Sequence, residues 1–173
     1  MNSKHSALLI PFLLALFFAA PVLAFDTVTP SQAYELVTEN PNAYIIDVRT
    51  AAEWQYVGHP GQNRVGDGAA LEGKIVHLPW LIELKGTMLV NPSFLSDIDE
   101  LFQRQPQVLL IVMCRSGNRS VPAAALLEQV GYQVVEMPAG FEGRTDKYGY
   151  RTVNGWKLEG WPYNFSPLGA YRD

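Results

Sequence analysis

The sequence predicts an α/β fold in which a central, mostly parallel sheet carries helices on both faces. Segments with the helical spacing of apolar residues alternate with short apolar segments along most of the chain, and this alternation is typical of parallel sheets. Residues 108–113 are apolar at every position, as expected of a central strand that is covered on both faces.

The predicted elements follow one another from residue 30. They are helices at 30–40, 50–56, 93–104 and 120–130, and strands at 43–48, 74–78, 108–113 and 132–137. The first two helices are predicted from two capping boxes, Thr29 with Gln32 and Thr50 with Glu53.

The last two helices are predicted from their starts and ends. Pro92 and Ser93 precede a segment whose apolar residues recur at helical spacing. Pro122 falls in the first turn of the next helix, and Gly131 ends that helix. The strands between the helices complete the alternating order.

Residues 1–24 differ from the rest of the chain and predict a secretory signal peptide. Lys4 precedes an apolar run, and Ala24 ends a segment suited to cleavage. The alternative is a retained membrane anchor, which two prolines in the run disfavour because they interrupt a helix. We therefore expect cleavage after Ala24, and residues 25–173 to form one domain in a bacterial periplasm, with no membrane contact after cleavage.

The composition excludes several classes of protein. The chain of 173 residues has a net charge of −4 and offers no basic surface for nucleic acid. Its single cysteine cannot form a disulfide within the chain. Since no cysteine partner or close group of His, Asp and Glu is evident, we predict neither a metal site nor a cofactor.

Cys114 is the candidate nucleophile. It follows the most buried strand, and the loop that leads from it into the next helix is Arg115-Ser116-Gly117-Asn118-Arg119. The N–H groups of such a loop and the positive end of the helix dipole favour a thiolate. Two arginines with planar donor forks suit an oxyanion, so a small anionic substrate is expected. The alternative, a buried structural cysteine, does not explain these neighbours.

The loop resembles the active-site loop of the rhodanese sulfurtransferases. Three further motifs similar to those of this family occur in the same order: Asp47-Val48-Arg49 with Glu53-Trp54, Gly58-His59-Pro60-Gly61, and Gly140-Phe141-Glu142 with Trp156 and Trp161. The resemblance covers about residues 27–162. It is interrupted by two insertions, at 61–73 and 144–154, which are expected to flank the pocket.

The resemblance implies a rhodanese-like fold and sulfur transfer through a Cys114 persulfide. The donor would be thiosulfate or a related anion, bound by the loop residues 115–119, and the acceptor would be cyanide or a thiol, including a thiol on a protein. Asp47 and Arg49 are assigned supporting roles: Asp47 accepts hydrogen bonds that brace nearby loops, and Arg49 pairs with Glu53 or an adjacent carboxylate. His59 and His77 are assigned to a turn and to the core.

Three alternatives use the same thiol. A persulfide carrier would load sulfur without turnover. A phosphatase or arsenate reductase of the same fold would place five residues between its Cys and Arg, whereas four lie between Cys114 and Arg119. A redox sensor would need a thiol on another molecule, since the chain has no resolving cysteine.

Overall fold

The computed structural model describes residues 25–165, so the predicted leader at 1–24 lies outside the described residues, as do residues 166–173. The helices are α1 (Pro30–Glu39), α2 (Ala51–Val57), α3 (Phe94–Phe102) and α4 (Ser120–Gln129), with a 3₁₀ turn at Ala69–Leu71. The strands are β1 (Asp26–Thr27), β2 (Ala43–Asp47), β3 (His59–Pro60), β4 (Ile75–His77), β5 (Leu81–Leu84), β6 (Thr87–Val90), β7 (Leu109–Met113), β8 (Gln133–Met137), β9 (Arg144–Thr145), β10 (Arg151–Val153) and β11 (Tyr163–Asn164).

A parallel sheet of five strands organises the described part of the chain, in the order β1-β8-β7-β2-β4. Strand β7 is central and pairs in parallel with β2 and β8. The continuous apolar run therefore lies where the sequence predicted it, and the α/β fold class is confirmed.

Alternate residues of β7 contribute to two hydrophobic cores, one on each face of the sheet. Leu110 and Val112 belong to the core that includes α3 and α4. Ile111 and Met113 belong to the core that includes α1 and α2. Cys114 continues the first set, so its side chain lies on the α4 side of the sheet, where the loop turns into that helix.

Both predicted capping boxes are present. Gln32 N–H donates to the Thr29 hydroxyl at 3.2 Å, and Thr29 N–H donates to the Gln32 side chain at 2.9 Å. The second box joins Thr50 and Glu53 in the same way, at 3.3 and 3.0 Å. These local contacts explain why the starts of α1 and α2 match the prediction.

Two hairpins were not predicted. Strands β5 and β6 form an antiparallel pair joined by Lys85 and Gly86, both with positive φ. Such turns usually contain Asn-Gly or Asp-Gly, so this one gives a weak sequence signal. The insertion at 144–154 forms the second hairpin, from β9 and β10. Within residues 25–165, no helix is long and apolar enough to cross a bilayer.

Candidate active site

The Cys114 side chain lies at the junction of β7 and α4, and the residue is 1% exposed. The N–H of Gly117 donates to its sulfur at 3.1 Å. The hydroxyl of Ser120, the first residue of α4, lies 3.5 Å from the same sulfur. The sulfur therefore faces a backbone donor and the first turn of a helix, an environment that stabilises negative charge.

The segment at residues 138–142 supports the loop from behind. Phe141 N–H donates to the carbonyl of Cys114 at 2.8 Å, and Glu142 N–H donates to the carbonyl of Arg115 at 3.1 Å. Gly140 has a φ of +64°, and a Cβ at this position would lie 2.5–2.6 Å from the backbone of Cys114 and Arg115. A glycine is thus required for the close approach of the two segments.

Arg119 forms an ion pair with Glu53 of α2. Its two guanidinium nitrogens, Nη1 and Nη2, donate to the two carboxylate oxygens at 2.6 Å each. Burial of Glu53 opposes its ionisation, but the hydrogen bonds from Arg119 and Thr50 outweigh burial and lower its pKa from 4.5 to about 2. The donor fork predicted to face a substrate is therefore occupied by Glu53, and an anion would compete with this carboxylate for Arg119.

Asp47 and Arg49 form a fully buried ion pair at the end of β2, with Nη2 of Arg49 2.6 Å from Oδ2 of Asp47. Nη2 also donates to the carbonyl of Gly58 at 2.8 Å. The guanidinium lies 4.1 Å from the centre of the Phe141 ring. Of the two partners predicted for Arg49, the structure selects the adjacent carboxylate, Asp47, rather than Glu53. The pair therefore contacts the segments that contain Gly58 and Phe141. Phe141 is the residue whose N–H donates to the carbonyl of Cys114.

Each of the two histidines at 59 and 77 makes a contact within the fold. His59 is buried and stacks on Trp54, with 3.7 Å between the ring centres. Nε2 of His77 donates a hydrogen bond to the carbonyl of Arg49 at 2.9 Å. Burial lowers the pKa of His77, although the nearby Asp47 carboxylate favours its charged form. Within the described residues, no group of three or more His, Cys, Asp or Glu side chains could hold a metal ion.

A cavity of about 400 Å³ opens beside the cysteine. The residues that line it are Glu53, Leu81, Cys114, Arg115, Ser116, Asn118 and Arg119. Arg115 and Asn118 are exposed, and Gly117 is buried. The predicted loop residues are therefore brought together, and Leu81 of the unpredicted β5–β6 hairpin is added to the wall.

The two insertions differ in their relation to the loop. Arg144, Thr145 and Arg151 of the β9–β10 hairpin line a second cavity, of about 500 Å³, together with loop residues 116–118. The insertion at 61–73 instead lines a cavity with residues 163–165. One insertion thus lies beside the cysteine loop, and the other lines a cavity that contains no loop residue.

Glu136 of β8 was not predicted from the sequence to lie near the cysteine. This residue is 1% exposed, and its Oε1 accepts a hydrogen bond from the Ser120 hydroxyl at 2.5 Å. Burial raises its pKa, and the hydrogen bond from Ser120 and the charge of Arg144 oppose that effect. A single acid inside an otherwise apolar strand segment, residues 134–137, was the signal that could have identified it.

The structure is an α/β fold in which a parallel sheet places the thiol of Cys114 at a strand-to-helix loop. The rhodanese-like domain family model matches residues 29–147. The chain therefore belongs to the rhodanese-like family, as the motif resemblance predicted. The presence of this domain supports membership of the sulfurtransferase-like superfamily. Rhodanese-like domains in general act on sulfur donors and thiol acceptors.

The chain is also similar to individual proteins. The crystal structure of Rv0390 from M. tuberculosis is 32% identical with a TM-score of 0.68, and the match covers 83% of this chain and 100% of that one. An uncharacterized protein of Rickettsia conorii is 27% identical over 83% of this chain and its own full length. The polysulfide-sulfur transferase homodimer of Wolinella succinogenes has the same fold, at 19% identity and a TM-score of 0.53, over 81% of this chain and 78% of that one.

Proposed function

We propose that the protein is a sulfurtransferase that carries sulfane sulfur on Cys114, from thiosulfate or a related anionic donor to a thiol or to cyanide. The observation that carries the proposal is the position of the Cys114 sulfur. It accepts a hydrogen bond from Gly117 N–H at 3.1 Å, beside the first turn of α4. These surroundings favour the thiolate and then the anionic end of a persulfide.

In the first step, the Cys114 thiolate attacks the outer sulfur of the donor. A new S–S bond forms, the S–S bond of thiosulfate breaks, and sulfite leaves with the electron pair of that bond. Arg115 is exposed and lines the cavity, where its positive charge favours the approach of an anion. The enzyme is left as a Cys114 persulfide.

In the second step, an acceptor thiolate or cyanide attacks the outer sulfur of the persulfide. The S–S bond of the persulfide breaks, and its electron pair returns to Cys114 as a thiolate. The product is a new persulfide or thiocyanate. Because one nucleophile replaces another on the same sulfur, the cycle needs no added oxidant and no cofactor.

A persulfide carrier is the second candidate, and the β5–β6 hairpin favours it. Leu81 lines the cavity of Cys114, and residues 84 and 88–90 of the same hairpin expose apolar side chains, which suit a protein acceptor. Turnover separates the two functions. With thiosulfate and cyanide in excess, a sulfurtransferase forms many equivalents of thiocyanate per protein, whereas a carrier stops at one equivalent.

Phosphatase or arsenate reductase chemistry is disfavoured by Arg119 as well as by the spacing of the loop. Both of its terminal nitrogens are bound to Glu53, so its fork is not directed at an oxyanion. Hydrolysis of p-nitrophenyl phosphate that depends on Cys114 would contradict the proposed sulfur transfer, and no such hydrolysis is expected.

We also propose that the protein is exported to the periplasm. The support is the leader composition, a basic start followed by an apolar run and a small residue at Ala24. N-terminal sequencing of the protein from a periplasmic fraction should begin at Phe25. A membrane-bound form that still begins at residue 1 would contradict the proposal and support the anchor.

A further inference from the structure

Glu136 is a buried acid that the sulfur-transfer steps above do not use. It lies on β8 between two uncharged strand partners, Thr27 of β1 and Val112 of β7. Burying a carboxylate without a hydrogen-bond partner costs stability. The carboxylate of Glu136 has a partner, because its Oε1 lies 2.5 Å from the hydroxyl oxygen of Ser120.

Ser120 connects this acid to the nucleophile. Its hydroxyl oxygen is 3.5 Å from the Cys114 sulfur, 2.5 Å from Glu136 and 3.1 Å from the carbonyl of Gly117. A serine hydroxyl donates one hydrogen and accepts others. It can therefore accept a proton from the thiol on one side while it donates its own proton to the carboxylate on the other.

The charges around Glu136 suit such an exchange. Burial raises the pKa of Glu136, which makes it a better proton acceptor than an ordinary glutamate. The charge of Arg144, on the β9–β10 hairpin, opposes the effect of burial, and α4 contributes the Ser120 hydroxyl. Next to β1, the N–H of Val28 donates to the backbone carbonyl of Glu136 and not to its carboxylate. Transfer from the thiol leaves the total charge of the buried group unchanged.

We propose that Glu136 accepts the proton of the Cys114 thiol through the Ser120 hydroxyl. The S–H bond breaks, and its electron pair stays on sulfur as the thiolate. The proton binds Ser120 Oγ, while the original hydroxyl proton moves to Oε1 of Glu136. A thiol and a carboxylate thus become a thiolate, held by Gly117 N–H, and a neutral carboxylic acid.

The inference rests on the proposed function only in that Cys114 is the reactive thiol. Glu136 touches no substrate in this scheme and acts through Ser120, so it is a positioning residue. If Glu136 had only a structural role, Glu136→Gln would leave the pH dependence of thiolate formation unchanged. The amide has the same shape as the carboxylate and still accepts a hydrogen bond from Ser120. The pH profile therefore separates the two roles.

The test is the rate of Cys114 alkylation by iodoacetamide between pH 4 and 10. Because the thiol and the acid share protons, the wild-type profile should rise in two steps. Glu136→Gln should abolish the lower step and reduce the rate at pH 6 by about tenfold or more. Glu142→Gln is the matched control, since Glu142 lies beside the loop but makes no contact with Ser120 in the described structure.

Two serine variants make the test independent of how well Glu136→Gln folds. In the proposed state the Ser120 hydroxyl donates to the thiolate and accepts from the carboxylic acid of Glu136. Ser120→Ala removes both hydrogen bonds and should abolish the lower step, whereas Ser120→Thr keeps a hydroxyl and should retain it. Two steps in both Glu136→Gln and Ser120→Ala would overturn the proposal. Loss of the lower step in Glu142→Gln as well would overturn it too, since any nearby carboxylate would then have the same effect. Because alkylation needs no sulfur donor, a failure of sulfur transfer leaves this result unaffected.

Discussion

Replacing Glu53 by glutamine tests whether the ion pair with Arg119 stabilises the cysteine loop. The variant keeps the size of the side chain but removes its charge, and only one of its two terminal atoms can still accept from the guanidinium. Both side chains are largely shielded from water, at 17% and 19% exposure. We therefore expect Glu53→Gln to lower the free energy of unfolding by more than the loss of a typical exposed ion pair does.

The size of the loss follows from the pKa of Glu53. It falls from 4.5 to about 2 in the folded protein, and at 1.36 kcal/mol per pKa unit this interval corresponds to about 3.4 kcal/mol. Since water reaches part of the pair, we reduce the expected loss to about 2 kcal/mol at pH 7. The lowered pKa means that the stabilisation is complete above pH 4.5 and disappears as the pH falls towards 2.

The assay is urea unfolding of wild type and Glu53→Gln at pH 7 and pH 3. The difference in the free energy of unfolding at pH 3 should be less than half of that at pH 7, because wild-type stabilisation is already partly lost there. Arg104→Gln, at an exposed ion pair with Asp99, is the matched control and should cause a smaller loss at pH 7. An equal loss for Glu53→Gln at both pH values would refute the reasoning.

Three further substitutions test the supports of the loop. Gly140→Ala should lower the free energy of urea unfolding by about 2 kcal/mol or more and slow Cys114 alkylation, because the added Cβ would overlap the backbone of the cysteine loop. The control is Gly131→Ala, which also has positive φ but has open space around it, and this variant should lose less stability. Arg115→Ala should lower kcat/KM for thiosulfate more than for a neutral donor, and equal losses would mean that Arg115 only shapes the loop. Arg49→Met leaves Asp47 buried without its ionic partner and should lower the free energy of urea unfolding by about 3–5 kcal/mol. The double variant Asp47→Leu with Arg49→Met should recover part of this loss. No recovery would argue against a stabilising role for the Asp47–Arg49 ion pair.

The parts of the fold that the sequence predicted depend on local patterns. Thr29 and Thr50 each cap a helix through a residue three positions away, so the contact can be identified from neighbouring letters. The apolar run at 108–113 predicted the central strand because a strand buried on both faces needs apolar residues at every position. The cysteine loop was identifiable for a similar reason, since its residues are consecutive.

The parts that were missed depend on contacts between distant segments. Glu53 and Arg119 are 66 positions apart, and Ser120 and Glu136 are 16 apart. Their pairing follows from how α2 and β8 lie against the cysteine loop, which no local pattern encodes. The sequence therefore predicted a reactive cysteine, but neither the pairing of Arg119 with Glu53 nor the acid next to Ser120 was predicted.

The most direct test of the central claim is the mass of the protein after incubation with thiosulfate. Wild type should gain the mass of one sulfur atom, located on Cys114 by peptide mapping and removed again by cyanide with formation of thiocyanate. Cys114→Ser should gain nothing. The claim is contradicted if wild type remains unmodified by thiosulfate and by a polysulfide donor, or if Cys114→Ser forms thiocyanate at the wild-type rate.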